Sequence, residues 1–157
     1  MATPAHRGTT TPARPRRNAT VSGQEYPPYH PQRAFGFTII EQAQQGVSTQ
    51  QVDQLTTLLG VSLKEMAVVL QVAERTLHRF RSEGRLDVQA SERLLLLENL
   101  AAHGLADFDG QANVLANWIR HPLRELKGQP PIQWLNTISG FSLVDDVLTR
   151  IEYGVYS

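Results

Sequence analysis

The sequence predicts an all-α protein made of two helical halves, and three observations carry that expectation. From Phe35 onward, apolar residues recur at three- and four-residue intervals, the spacing that gathers them on one face of a helix. Cap and stop residues fall at helical lengths around those runs, with Ser48, Ser62, Asp87 and Ser142 before them and Gly46, Gly60, Gly84 and Gly154 after them. Leu94, Leu95, Leu96 and Leu97 are consecutive within one run, so their side chains point to all sides of a helix that must be buried on several of them.

Residues 1–34 precede the pattern. They are rich in Pro, Thr and Arg and poor in aliphatic residues, too little apolar surface to offset the entropy of ordering, and they read as a disordered tail. Arg7, Arg14, Arg16, Arg17 and Arg33 stand against Glu25 alone, a basic balance that could steer towards phosphates or resemble an organelle transit peptide; a solvated leader is the plainer reading. A first helix over Thr38–Gln45 follows, with Phe37, Ile39 and Ile40 expected in the core and Gly46 as its stop. Ser48 and Gln51 have capping-box spacing and open a helix with Val52, Leu55, Leu58 and Leu59 inward, closed by Gly60.

The stretch Ser62–Arg85 organises this half. Ser62 and Glu65 form a second capping box, so a helix starts at Leu63 and runs to Leu70 with Met66, Val69 and Leu70 on one face. Ala67 is small where a second helix has to cross. Val72 plugs the turn, and Leu77 and Phe80 make the inner face of a helix Glu74–Glu83 that Gly84 terminates. The spacing of Met66, Ala67, Leu70, Val72, Leu77 and Phe80 resembles the DNA-binding helix-turn-helix, whose second helix lies in the major groove. Arg75, Arg79 and Ser82 lie opposite Leu77 and Phe80, with His78 at the flank, so Glu74, Arg75, Thr76, His78 and Arg79 are the candidate DNA contacts of a domain spanning 35–86. An ordinary helical hairpin has the same apolar spacing. Gln71 stands where the motif usually has glycine, and Ala73 where it has a capping Ser or Thr.

In the second half, 87–157, Asp87 caps a long helix Val88–Ala102 that carries the four leucines and Leu100, read as a central helix with a dimer seam as the alternative use. After Asp109-Gly110, a helix Gln111–Arg120 presents Val114, Leu115, Trp118 and Ile119 and ends at Pro122. Pro130-Pro131 opens a short helix with Ile132, Trp134, Leu135 and Ile138, which Gly140 breaks. Ser142 caps a last helix with Leu143, Val144, Val147, Leu148 and Ile151 inward, ending at Gly154.

Pro122-Leu123 with Leu126 and Gly128, the Pro-led short helix with Leu135, and above all the terminal RIEYGVYS, Arg150–Ser157, resemble the antitoxins of the Xre/MbcA/ParS group, and more narrowly the Xre antitoxins paired with RES-domain toxins. The resemblance covers Phe35–Ser157 and departs at Gln71, Ala73 and Trp134, where the family more often has an aliphatic residue. It implies a C-terminal helical toxin-binding domain, a cognate RES toxin that resembles ADP-ribosyltransferases and consumes NAD, a homodimer, and repression of the antitoxin's own operon through operator DNA. It also implies that Arg150, Glu152, Tyr153, Gly154, Val155, Tyr156 and Ser157 cover the toxin's active-site entrance. Asp145, Asp146, Glu152 and the Ser157 carboxylate against Arg150 would suit a cationic dinucleotide pocket, and Tyr153 and Tyr156 would serve as anchors. The plainer reading is that Tyr153 packs on the protein's own core and the last residues fray.

Composition excludes other classes. Lys plus Arg and Asp plus Glu are 15 each, so any attraction to nucleic acid is local, and the absence of cysteine rules out disulfides and thiolate chemistry. No long apolar run or leader segment is present, so a soluble cytoplasmic protein without membrane contact is expected. No phosphate loop or nucleophile motif occurs, Asp145 and Asp146 diverge on a helix, and His103 with Asp107 reads as a solvated bridge at a helix end rather than a metal site. Neither catalysis nor a cofactor is expected. The competing reading is a free-standing helix-turn-helix regulator without a toxin partner.

Overall fold

A computed structural model describes residues 36–152 and Gly154, together with the pairs Thr20–Val21 and Gln24–Glu25. Those pairs, β1 and β2, run antiparallel with Thr20 opposite Glu25 and Val21 opposite Gln24; the rest of the expected tail lies outside the described residues. The remainder is helical: α1 Phe37–Gln45, α2 Thr49–Leu59, α3 Leu63–Leu70, α4 Glu74–Glu83, α5 Val88–Asp107, α6 Ala112–Trp118 and α7 Ile138–Glu152, with 3-10 turns at Arg124–Leu126 and Pro131–Trp134 between the last two.

Helix α5 is the axis. Leu94, Leu95, Leu96 and Leu97 are all buried within one chain, as are Leu100, Ala101 and Leu105, and α5 touches α1, α2, α3, α6 and α7. A single apolar cluster therefore runs from Ile39 through Leu77 and Leu97 to Leu148, and the two halves share it. The four leucines thus serve the intrachain core, the first of the two uses expected of them.

Most starts and stops obey the local chemistry. At α3, Ser62 Oγ accepts from the Glu65 N–H and Glu65 Oε2 accepts from the Ser62 N–H, the full reciprocal box. Asp87 caps α5 by accepting from the Ala90 N–H. At α2 the expected box with Gln51 gives way to a simple cap, because Ser48 Oγ accepts from the Gln50 N–H and the Gln51 N–H donates to the Ser48 carbonyl. A sheet-like bridge of Ser48 with Arg85, with Leu86 N–H donating to Val47 O, holds the start of α2 against the end of α4.

Several expectations are corrected. Phe37 is 84% exposed and Ile40 46%, because α1 lies on α5 through Ile39 and Ala43, one helical turn apart, and the other two side chains point away. Helix α5 continues to Asp107 instead of stopping at Ala102, since Gly104 sits inside it: a Cβ there would lie 2.5 Å from Leu115 Cδ1 of α6, so this glycine permits close packing rather than ending the helix. The same holds for Gly140, which does not break a helix but lies in the first turn of α7. Its missing side chain makes room for the Trp134 carbonyl, with which a Cβ would collide. The cap of α7 is consequently Thr137, whose Oγ1 accepts from the Gly140 N–H, and not Ser142. That earlier start places Ile138 in α7, 39% exposed, and leaves Leu143 36% exposed, while Val144, Val147 and Leu148 face the core.

Candidate functional site

The turn between α3 and α4 has the geometry that its sequence strains to make. Gln71 adopts a left-handed conformation, φ 55 and ψ 41. It completes a Schellman-type closure in which the Gln71 N–H donates to Val68 O and the Val72 N–H to Ala67 O. The Gln71 side chain offsets part of the strain, because Nε2 donates to the Val68 carbonyl at 2.8 Å. Ala73 has extended cap geometry, φ −64 and ψ 147, but supplies no side-chain bond to the α4 terminus. Leu77 and Phe80 are buried beneath α4, so the opposite face is outward.

Glu74, Arg75, His78 and Arg79 are all exposed on that face and Thr76 is half-buried. Arg79 has a loose contact with Glu83, Nε to Oε1 3.8 Å, and its guanidinium lies 5.4 Å from the Phe80 ring centroid. An ion pair this long between side chains 63% and 58% exposed restrains Arg79 little. Two neighbouring arginines serve the fold instead. Arg81 Nη2 is 3.1 Å from Asp53 Oδ1 of α2, and Arg85 Nη1 donates to the carbonyls of Gln45 and Gly46 at the end of α1.

The helix-turn-helix is clasped to the second half by one side chain that the sequence did not single out. Arg120, just beyond α6, donates from Nη1 to Glu65 Oε1 at 2.9 Å and from Nη2 to Glu65 Oε2 at 2.8 Å, and Nη2 also donates to the Gly60 carbonyl. Glu65 is thus shared between the cap of α3 and this fork. The Arg120 guanidinium, followed by the Ser62 bonds, holds its carboxyl down to about 2, against a penalty from burial, and Glu65 in turn raises Arg120.

At the other end of the molecule α7 leads into the expected toxin-binding segment. Arg150 is exposed, and Gly154 has φ 66 with its N–H donating to Ile151 O, a turn away from the helix. Tyr153, Val155, Tyr156 and Ser157 lie outside the described residues. Two carboxylates expected to give this end its acidic outer balance turn inward. Asp145 Oδ1 lies 2.6 Å from His103 Nδ1, and Glu152 Oε2 lies 3.9 Å from His103 Nε2, on the same side as Asp107 Oδ2 at 3.3 Å. Asp146 is exposed, and Glu152 lies at the exposed rim of this cluster. His103 is fully buried and the Asp107 carboxylate only 3% exposed, so their bridge is internal rather than solvated. The i, i+4 spacing gave the pair; nothing local in the sequence indicated that α7 would bring Asp145 and Glu152 to it.

The comparisons agree with this division of labour. Residues 38–99 match the family described as Antitoxin Xre-like helix-turn-helix domain, and residues 104–154 match the Antitoxin Xre/MbcA/ParS C-terminal toxin-binding domain. The chain is 24% identical over 123 residues to Antitoxin Xre of Yersinia enterocolitica, covering 78% of this chain and 83% of that protein. It is 27% identical over 121 residues to the Prs ADP-ribosylating antitoxin of a Sphingobium species, 71% and 76% covered, and 29% identical over 79 residues to Antitoxin Xre of Photorhabdus laumondii, 50% and 53% covered. With a helix-turn-helix domain and a toxin-binding domain matched in this order along the helical part of the chain, the protein belongs to the Xre/MbcA/ParS antitoxins as an Xre-type member.

Proposed function

We propose that this antitoxin neutralises a RES-domain, NAD-consuming toxin in the cytoplasm by covering its active site with the segment Arg150–Ser157, and that as a homodimer it represses its own operon through α4. The observation that carries the first part is the match of the toxin-binding domain, which runs to residue 154, past the end of α7 and into that segment. The turn at Gly154 supports it by directing the chain off the helix. The name of the Sphingobium relative, which links an antitoxin of this group to ADP-ribosylation, also favours a partner that cleaves NAD. A free-standing regulator would have no use for a toxin-binding domain. For DNA, the supporting feature is the outward face of α4, where Arg75 and Arg79 are exposed while Arg81 and Arg85 are occupied by the fold.

The test is co-expression with the protein encoded beside it. The expected result is a co-purifying complex whose partner consumes NAD only after the antitoxin is removed. A partner that transfers ADP-ribose to a protein instead would replace the RES reading with the ADP-ribosylating one, and a partner indifferent to NAD would reject both. Light scattering at micromolar concentration tests the dimer, which a monomeric mass would exclude.

A further inference from the structure

We propose that His103, Asp107 and Glu152 form a binding site for a divalent transition ion of the zinc class, with Asp145 as the residue that positions the imidazole. The inference is independent of which toxin the protein binds. His103 and Asp107 are one turn apart at the C-terminal end of α5, and Glu152 closes the site from the last turn of α7. One donor atom from each lies within 4.8 Å of the other two.

The tautomer is fixed by the second carboxylate. At 2.6 Å from Asp145 Oδ1, His103 Nδ1 carries the proton and donates it, which directs Nε2 towards Asp107 and Glu152. A carboxylate holding the far nitrogen of an imidazole whose near nitrogen faces further donors is the arrangement that orients metal-bound histidines. The distances fit as well. Two ligand atoms each about 2.1 Å from one ion and separated by a near-tetrahedral angle are about 3.4 Å apart. Nε2 to Asp107 Oδ2 is 3.3 Å; Nε2 to Glu152 Oε2, at 3.9 Å, would close by a few tenths of an ångström on coordination, at a side chain that is 26% exposed. One nitrogen with two carboxylate oxygens suits zinc, cobalt or nickel, whereas magnesium prefers oxygen alone. Three protein ligands leave a fourth position for water.

An ion here would tie the last turn of α7 to α5 immediately before residues 153–157 in the sequence. The experiment is calorimetric titration of zinc chloride into the chelator-treated full-length protein, with magnesium chloride as control and cobalt absorption as a reading of ligand geometry. The expected result is about one zinc per chain with micromolar affinity, no response to magnesium, a tetrahedral cobalt band and a raised melting temperature. Glu152→Gln, at the rim of the site and with its fold checked by circular dichroism, should weaken zinc at least about tenfold; Asp145→Asn should weaken it about 10–100-fold and shift the cobalt band without abolishing it. His6, His30, His78 and His121 are the competing sources of surface binding. Zinc affinity unchanged in Glu152→Gln would assign the ion to them and overturn the proposal, and so would the absence of zinc binding to the parent protein at about 1 mM. In that event the cluster is an internal ion-pair network only.

Discussion

Replacing Arg120 by alanine tests the account of how the two halves are held together. The fork from Arg120 to Glu65 at 2.8–2.9 Å is bidentate, and it is the largest cause, ahead of the Ser62 bonds, of a Glu65 carboxyl held down from 4.5 to about 2. Without solvent screening that depression would correspond to about 3 kcal/mol at neutral pH. The Arg120 and Glu65 side chains are 43% and 34% exposed, so screening reduces the contribution to about 1 kcal/mol. Because the folded pKa lies below the unfolded one, this stabilisation is complete above about 4.5 and is lost as the pH falls towards about 2. Arg120→Ala should therefore melt about 3–6 °C below the parent at neutral pH, and the gap should narrow on acidification through that window. Glu65 retains its Ser62 bonds in the variant, so α3 stays capped and the loss is confined to the clasp. Thermal denaturation followed by circular dichroism at several pH values measures both effects. Equal melting at neutral pH, or a gap that stays constant from about pH 6 to about pH 2.5, would refute the reasoning.

Three further outcomes follow from single positions. Gly140→Ala should destabilise by about 2 kcal/mol or more, although helix propensity alone would favour alanine by about 1 kcal/mol, because the new Cβ meets the Trp134 carbonyl; a raised melting temperature would contradict the close approach. Gln71→Gly relieves a left-handed residue and Ala73→Ser supplies the missing cap, each worth about 1 kcal/mol, and a denaturant midpoint that rises in neither would contradict the description of the turn. Arg75→Ala and Arg79→Ala should each weaken operator binding by about 1–3 kcal/mol with the fold intact, and retention assays at physiological salt showing full affinity in both would remove α4 from the interface.

The helix-turn-helix was legible because its determinants are local. The Ser62–Glu65 box, the small Ala67, the buried Leu77 and Phe80 and the Gly84 stop all act within a few residues, and the left-handed Gln71 and the missing cap at Ala73 were also readable from position alone. Helix α5 was legible as a buried axis for the same reason. What the sequence concealed depends on contacts between distant segments. Gly104 and Gly140 look like punctuation, but they mark places where Leu115 and the Trp134 carbonyl press against a helix. Their role is invisible until the neighbours are known, and sequence spacing alone therefore makes both helices too short. Arg120 and Glu65 are 55 residues apart and His103 and Asp145 are 42 apart, so neither pairing has a spacing signature. The expected acidic character of the C-terminal end erred by the same route, since two of its carboxylates are directed at a histidine on another helix.

The central claim is that the chain beyond α7 blocks the toxin's active site while the helices before it supply the attachment. The direct measurement is NAD consumption by the toxin in complex with antitoxin truncated after Tyr153. Val144, Val147 and Leu148 are buried in the antitoxin's own core, so the shortened protein keeps its fold. The account predicts that it still co-purifies with the toxin and that NAD consumption resumes. A truncated complex that remains fully inhibited would mean that the helices block the site by bulk, and would contradict a covering role for residues 154–157.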